Sequence, residues 1–336
     1  MKVDIIGGGI SGFSTAISLK KYDSCVEVIV HEQYKKIGYN IAARRCGEAH
    51  SVQDEWKKWQ PSERSIYNTI HKAELIIDNQ THLFHVQPPN KAYILNRPEF
   101  IRQLAAEAKS LGVVIQTDDK VKSAEDVDGD YVVDASGCPS ILKRKLGINN
   151  GIKGIAYQQT LESSNCFVSG TAKIIYTDDF GYYWIFPRDS LKKEVNIGVC
   201  FFGQFGYNLK KLLSEFKNKN HLSGTINYET GGLLPEGLQR PLKYKNIVFV
   251  GDAGVGTYPF NGQGIYRALL SGEEAGRFLA DKNPKGYVHR MHQLFIKWDM
   301  IGKMFIRGNF VIRQINPWLV LRLSNIFANS KIVIKI

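Results

Sequence analysis

Two glycine-rich turns near opposite ends of the chain, and an aromatic row between them, are the stretches whose residue types could do chemistry. The first turn, Gly7-Gly-Gly9-Ile-Ser11-Gly12, satisfies G-x-G-x-x-G. An apolar strand from Val3 to Ile6 runs into it and a helix-like segment, Phe13 to Lys21, follows. A second apolar strand, Val26 to Val30, then leads to Glu32. Glycines at this spacing permit a tight turn, close approach of backbone to a pyrophosphate, and close helix–strand packing, while the helix N-terminus attracts phosphates. Glu32, 20 residues after Gly12, stands where an acid takes ribose hydroxyls. The unit reads as dinucleotide-binding and by itself fits NAD and FAD equally.

The far end of the chain separates the two. Residues Asn246 to Gly256 form another apolar strand that breaks at Gly251-Asp252, and Asn261-Gly262-Gln-Gly264 leads into a helical run from Ile265 to Leu279. This resembles FAD enzymes of the glutathione-reductase type, in which such an Asp reaches the ribityl chain and the next helix points its N-terminus at the flavin. A buried strand with an N-capping Asp would explain Asp252, but not its pairing with the first turn. FAD is the expected cofactor.

The aromatic row is Gly181-Tyr-Tyr-Trp-Ile-Phe-Pro-Arg188. As a strand it puts Tyr182, Trp184 and Phe186 on one face and Tyr183 and Ile185 on the other. Taken alone, such a row reads as core.

Longer matches place the row in a family. Tyr131-Val-Val-Asp-Ala-Ser-Gly-Cys-Pro-Ser140, with Arg144 after it, resembles the strand and turn of flavoproteins with the hydroxybenzoate-hydroxylase fold; Ser136 stands where NADPH-using hydroxylases usually carry Asp. Arg45-Cys46-Gly47-Glu48 resembles the cysteine-containing loop of the geranylgeranyl reductase family. Tyr93-Ile-Leu-Asn-Arg97-Pro-Glu-Phe100 resembles its arginine-bearing segment, and Tyr182-x-Trp184-x-Phe186-Pro187 its Y-x-W-x-F-P pattern. The matches run in order from residue 3 to about 280. The chain is therefore identified as a member of the geranylgeranyl reductase family, of the archaeal lipid-saturating kind. The resemblance implies FAD contacts at Gly7, Gly9, Ser11, Gly12, Glu32, Arg45, Cys46, Gly47, Arg97, Val121, Asp252, Gly262, Gly264 and Ile265. It also makes Tyr182, Trp184 and Phe186 the wall of a prenyl cavity.

Bulk properties agree with a folded enzyme. At 336 residues, 43% hydrophobic and 23% charged, the chain has room for two domains. It opens directly on an apolar strand, without the pattern of a secretory signal, and no long uncharged window suggests a transmembrane helix. Five scattered cysteines, none spaced as CxxC, suggest neither disulfides nor zinc and point to a reducing cytoplasm. Of the net charge of +12, a tail from Lys285 to Ile336 carries nine Lys or Arg against Asp299 alone. That tail reads as a basic face packed on the domain, or as a contact for an anionic membrane or an acidic protein; no nucleic-acid motif accompanies it.

The expected fold class is α/β: a Rossmann-like FAD-binding domain of the glutathione-reductase type, a second antiparallel sheet for substrate, and a helical C-terminal tail. The FAD domain is discontinuous (1–50, 91–150 and 240–284), the substrate domain takes 51–90 and 151–239, and the basic helical region is 285–336. Strands are expected at Ala172–Thr177, Tyr182–Phe186 and Glu194–Phe202. Glu48 and His50 read as members of a solvated loop.

The resemblance implies saturation of isolated trisubstituted double bonds in prenyl chains. Such an alkene is not electrophilic, so protonation toward a tertiary cation, with hydride delivery from reduced flavin N5, is the sensible order. Aromatic faces stabilise nearby positive charge by roughly 0.5–2 kcal/mol each. Cys46 and Tyr182 are the catalytic candidates. Cys46 also reads as a small residue packed on the flavin, and the proton donor stays unassigned. No second dinucleotide motif appears, so electrons come from a briefly docked NADPH or from a small acidic ferredoxin steered by the basic tail. The rival readings are an oxygen-using monooxygenase or halogenase, whose W-x-W-x-I-P strand Tyr182 and Phe186 depart from, and a non-catalytic flavin- or lipid-binding protein.

Overall fold

The structure, a computed structural model, describes residues 1–39, 47–52, 59–77, 79–149, 151–177, 181–203, 206–259 and 261–315, with backbone alone for 52 and 305–315. Expected contacts Arg45 and Cys46 lie outside the described residues.

The opening strand, Lys2–Ile6, is buried from Val3 onward and lies inside a six-stranded sheet. In space the order is Lys243–Tyr244, Ile247–Phe249, Tyr131–Asp134, Lys2–Ile6, Glu27–Glu32, Val114–Thr117. Every pairing is parallel except that of the two-residue edge strand. Strands covered on both faces read as apolar runs, which is why Val-Asp-Ile-Ile and Ile-Val-Phe were visible in the sequence.

Helix Ile10–Tyr22 follows the first strand, and helix Ile265–Ala280 packs against it at glycine distance. A Cβ at Gly276 would lie 2.6 Å from the backbone of both Thr15 and Leu19, and one at Gly272 would meet Ser11 and Thr15. That register makes the two helices run in the same direction. Both N-termini therefore open at the carboxyl ends of the parallel strands, the crevice where open α/β sheets take ligands.

The second sheet has seven strands, ordered Thr225–Pro235, Lys153–Glu162, Val195–Phe201, Gly181–Pro187, Thr171–Tyr176, Lys72–Ile77, Gln80–His85. It is antiparallel except where Thr171–Tyr176 meets Lys72–Ile77. The three strands expected in this region are present within a residue or so of their expected ends. Period-two alternation divides the apolar residues between its faces. Ile185, Val195, Ile197, Val199 and Phe201 pack beneath helix Leu209–Lys219 with Leu209 and Leu213. Tyr182, Trp184, Phe186, Cys200 and Phe202 pack on the other face with Ile70 and Ile94. Those last two come from a small three-stranded sheet, Ala49–Val52, Lys91–Leu95 and Ile66–Ile70. The aromatic face is thus roofed by strands that flank the Gly47 loop.

A long helix, Pro284–Ile315, closes the described chain. Tyr287, Met291 and Phe295 are buried in the main core, and Asp299 pairs with Arg267 at 2.7 Å in a site closed to solvent. Among the described residues no helix is long and apolar enough to cross a membrane. The architecture is the expected α/β one, with a parallel sheet, a mainly antiparallel sheet and a helical C-terminal region.

Candidate functional site

In the first glycine turn each glycine has a separate physical reason. Gly7 has φ +110°, and a Cβ there would sit 2.6 Å from the Ala135 carbonyl oxygen. A Cβ on Gly12 would collide with the Gly7 carbonyl, so Gly12 sets the packing of helix on strand. A Cβ on Gly9 would meet nothing within 4 Å. Gly9 is also the N-cap of helix Ile10–Tyr22 and offers it no side-chain cap, so no capping side chain takes up the first-turn amides. These residues fit a pyrophosphate.

Glu32 ends the second strand, and its carboxylate accepts from the Gly8 N–H and the Tyr34 N–H, both at 2.9 Å. Burial pushes its carboxyl up, against those two amide bonds. It is held at the turn with further acceptor capacity, as a ribose ligand would be. Val121 is 5% exposed in a cluster with Ile6, Val132 and Leu142, which leaves its backbone as the part a nucleotide could meet.

The second turn closes on the first. Gly251 has φ +55° and packs on Ser11, which brings the expected contact Ser11 against the residue before Asp252. Burial raises the Asp252 carboxyl, while the charges of Arg97 and Arg267 favour its ionised form; expected contacts Arg97 and Asp252 are therefore neighbours. Gly264 is the N-cap of helix Ile265–Ala280, again without a side-chain cap. Ser136 is occupied structurally: its N–H and its hydroxyl both donate to Asp134, at 2.9 and 2.6 Å.

The aromatic row bridges these segments. The Tyr182 hydroxyl donates to the Asn261 carbonyl at 2.6 Å, and a Cβ on Gly262 would lie 2.9 Å from that hydroxyl. At the other end a Cβ on Gly47 would lie 3.1 Å from the Phe186 ring. Trp184 lies between, its Nε1–H donating to Asn196 Oδ1 at 2.8 Å and its indole seated on Gly198. Tyr176, Tyr182 and Trp184 follow at centroid spacings of 5.6 and 5.9 Å. Burial drives the Tyr182 phenol well above its ordinary range, so it stays protonated with its proton committed to Asn261. Tyr183 stacks on Phe216 beneath the sheet at 4.0 Å.

One reading is corrected. Glu48 and His50 are not on a solvated loop: they are 1% and 5% exposed. Glu48 Oε2 lies 3.2 Å from Nε of Arg188, which also meets Glu194 at 3.3 Å and stacks over Tyr67. Arg188 ends the aromatic row on the same face, so this ion cluster ties the Gly47 loop to the strand. Burial pushes the His50 imidazole down to about 4. The acid spacing in the sequence carried no sign of either, because the partner Arg188 is remote in the chain.

The sequence reasoning also missed Glu236. It is fully buried beside the aromatic face, and burial raises its carboxyl to about 7. Pro235-Glu-Gly237 reads as an ordinary polar turn, so no local signal marked it.

No family model matches the chain. Digeranylgeranylglycerophospholipid reductase 1 of Methanosphaera stadtmanae is 26% identical over 342 residues, covering 89% of this chain and 80% of that protein. A geranylgeranyl bacteriochlorophyll reductase-like protein from Thermoplasma acidophilum has a similar structure, with TM-score 0.81 and 19% identity over 92% of this chain and 87% of that one. A flavin-dependent brominase also shares the fold, with TM-score 0.70 and 19% identity over 96% of this chain and 93% of its own. By sequence the chain is a relative of the digeranylgeranylglycerophospholipid reductases, and it shares its fold with both of these solved structures.

Proposed function

We propose that this protein is an FAD-dependent reductase that saturates carbon–carbon double bonds of geranylgeranyl chains in isoprenoid or ether lipids. The observation that carries the reading is the aromatic row. Tyr182, Trp184 and Phe186 share one buried face, and that face is anchored at Asn261 on one end and Gly47 on the other. A prenyl chain held on this face would lie between the two segments expected to hold the flavin.

FAD when bound would supply the hydride. Gly7, Gly9, Ser11 and Gly12 would hold its pyrophosphate, Glu32 its ribose, and Asp252 with Arg97 its ribityl side. Gly262, Gly264 and Ile265 would meet the ring. The protein's own contribution is to exclude water and to present electron-rich ring faces to positive charge developing on the alkene, each worth roughly 0.5–2 kcal/mol. Tyr182 orients the Asn261 turn and keeps its proton there.

The electron donor in this proposal is a reduced ferredoxin or NADPH. The C-terminal helix meets the membrane surface: Met300 and Met304 are 56% and 69% exposed, on the same stripe as exposed Lys285 and Lys297. Sedimentation with anionic but not neutral vesicles tests that contact.

An oxygen-using reading has the shared fold of the brominase in its favour, and oxygen separates the two. Dithionite-reduced holoprotein under anaerobic conditions, given a panel of geranylgeranyl alcohols, diphosphates and ether lipids, should yield products with two added hydrogens per double bond by mass spectrometry. Consumption of O2 with an oxygenated or halogenated product would overturn the reductase reading.

A further inference from the structure

Glu236 combines complete burial with an unused oxygen, a costly arrangement that calls for a reason. It follows strand Thr225–Pro235 and pairs with Thr257 in a short parallel bridge, just before the Tyr258–Gly264 turn of the candidate flavin site. Its Oε1 accepts from the Gly203 N–H at 2.7 Å. Among the described residues its Oε2 has no partner and no solvent contact.

The sheet makes deliberate room for this side chain. A Cβ on Gly154 would sit 2.8 Å from Oε1, so only glycine fits beneath the carboxyl. Leu234, two residues earlier and on the same strand face, packs in the aromatic cluster and touches Gly262. The Cys200 thiol, within that cluster and opposite Tyr182 in the strand register, feels the Glu236 charge. Glu236 therefore borders the aromatic face from behind the flavin-side turn.

The groups around it are few. Lys303, half-buried on the C-terminal helix, acts on Glu236 electrostatically. Lys303 in turn feels Asp299 of its own helix, Arg267 of helix Ile265–Ala280 and Arg240 of the intervening loop. Asp299 and Arg267 are committed to each other. Cys200 is held neutral by burial. Glu236 is left as the acid of this cluster able to gain and lose a proton, with the half-buried Lys303 acting on it from the C-terminal helix.

We infer that Glu236 is the proton reservoir for alkene saturation, giving up its carboxyl proton into the aromatic chamber and recovering it from solvent past Lys303. This rests on the reductase reading. Per double bond, one alkene carbon gains the Glu236 proton and the other gains a hydride with its two electrons from the reduced flavin. The π bond is replaced by two C–H bonds and Glu236 is left as carboxylate. It takes a proton back from water, and the flavin regains two electrons and one proton, as hydride from nicotinamide or as electrons from ferredoxin with a proton from solvent. A carboxyl that titrates near 7 is poised for both halves of this cycle.

Glu236→Gln tests it, because the amide copies the protonated carboxyl in shape and still accepts from Gly203. The expected result is normal folding and FAD content, unchanged KM, and kcat lower by roughly 100-fold or more. The wild-type fall in kcat as pH rises through about 7 should vanish in the variant. Infrared difference spectra of the holoprotein across the same pH range should show a carboxyl band titrating in wild type and absent in Glu236→Gln, whether or not substrate is present. Glu236→Gln with wild-type kcat and pH profile, or an unchanged infrared titration, would overturn the assignment. A wild type that saturates no prenyl compound overturns the reductase reading and this inference with it, while the infrared band alone tells whether Glu236 holds a proton.

Discussion

Gly198→Ala probes the aromatic wall without removing any of it. The added methyl would lie 2.5 Å from Cη2 and 2.6 Å from Cε2 of Trp184, where carbon–carbon contacts need about 3.5–4.0 Å. The backbone at 198 is fixed on both sides by strand pairing, to Gln158 and to Trp184 itself, so the indole has to give by about 1 Å. That movement takes Nε1 beyond hydrogen-bond range of Asn196, now at 2.8 Å. Overpacking of this size costs about 1–3 kcal/mol, and the lost hydrogen bond about 1 kcal/mol more. Denaturant unfolding of the holoprotein should therefore show a loss of about 2–4 kcal/mol. FAD absorbance per chain should persist, because the added methyl meets Trp184 rather than either glycine turn. Prenyl turnover should fall as the wall is displaced. An unchanged unfolding midpoint together with unchanged turnover would refute both the packing argument and the placement of substrate on this face.

Trp184→Ala should leave FAD bound, cost about 3–5 kcal/mol of stability and sharply lower prenyl turnover; flavin loss with normal turnover per remaining holoenzyme would count against the wall. Glu32→Ala should instead weaken FAD affinity first, by about 1–3 kcal/mol in a flavin-release titration, and unchanged affinity would remove Glu32 from the ribose site. Glu236 should make stability fall as pH rises. Its carboxyl moves from 4.5 to about 7 on folding, so its contribution is fully present below 4.5 and lost through 7. The difference is about 3 kcal/mol, and Glu236→Gln should abolish that slope in unfolding curves taken between pH 4.5 and 8.

Much of the local structure was legible because its signals are local. Gly7, Gly9 and Gly12 carry their separate roles within six residues, and the structure gives each a distinct surrounding: a carbonyl, open space and a helix–strand contact. The alternation of Tyr182, Trp184 and Phe186 with Tyr183 and Ile185 follows from strand geometry alone, and the two clusters divide them that way. Glu48 was misread because an acid beside glycine in a polar stretch looks solvated. Its burial depends on Arg188, 140 residues later in the chain.

By itself the sequence determined the first glycine-rich turn, the parallel strands, the aromatic strand and the face each of its residues takes. These depend on backbone conformation, periodicity and spacing within one or two elements. Only the tertiary structure decided what covers the aromatic face, which acids are buried, and that Gly47 and Asn261 meet opposite ends of one strand. Glu236 shows why. Its carboxyl meets Gly154 of strand Lys153–Glu162 and the Gly203 amide just beyond strand Val195–Phe201, and feels the charge of Lys303 on the last helix. Desolvation is a property of all the neighbours at once, and no window of sequence contains them.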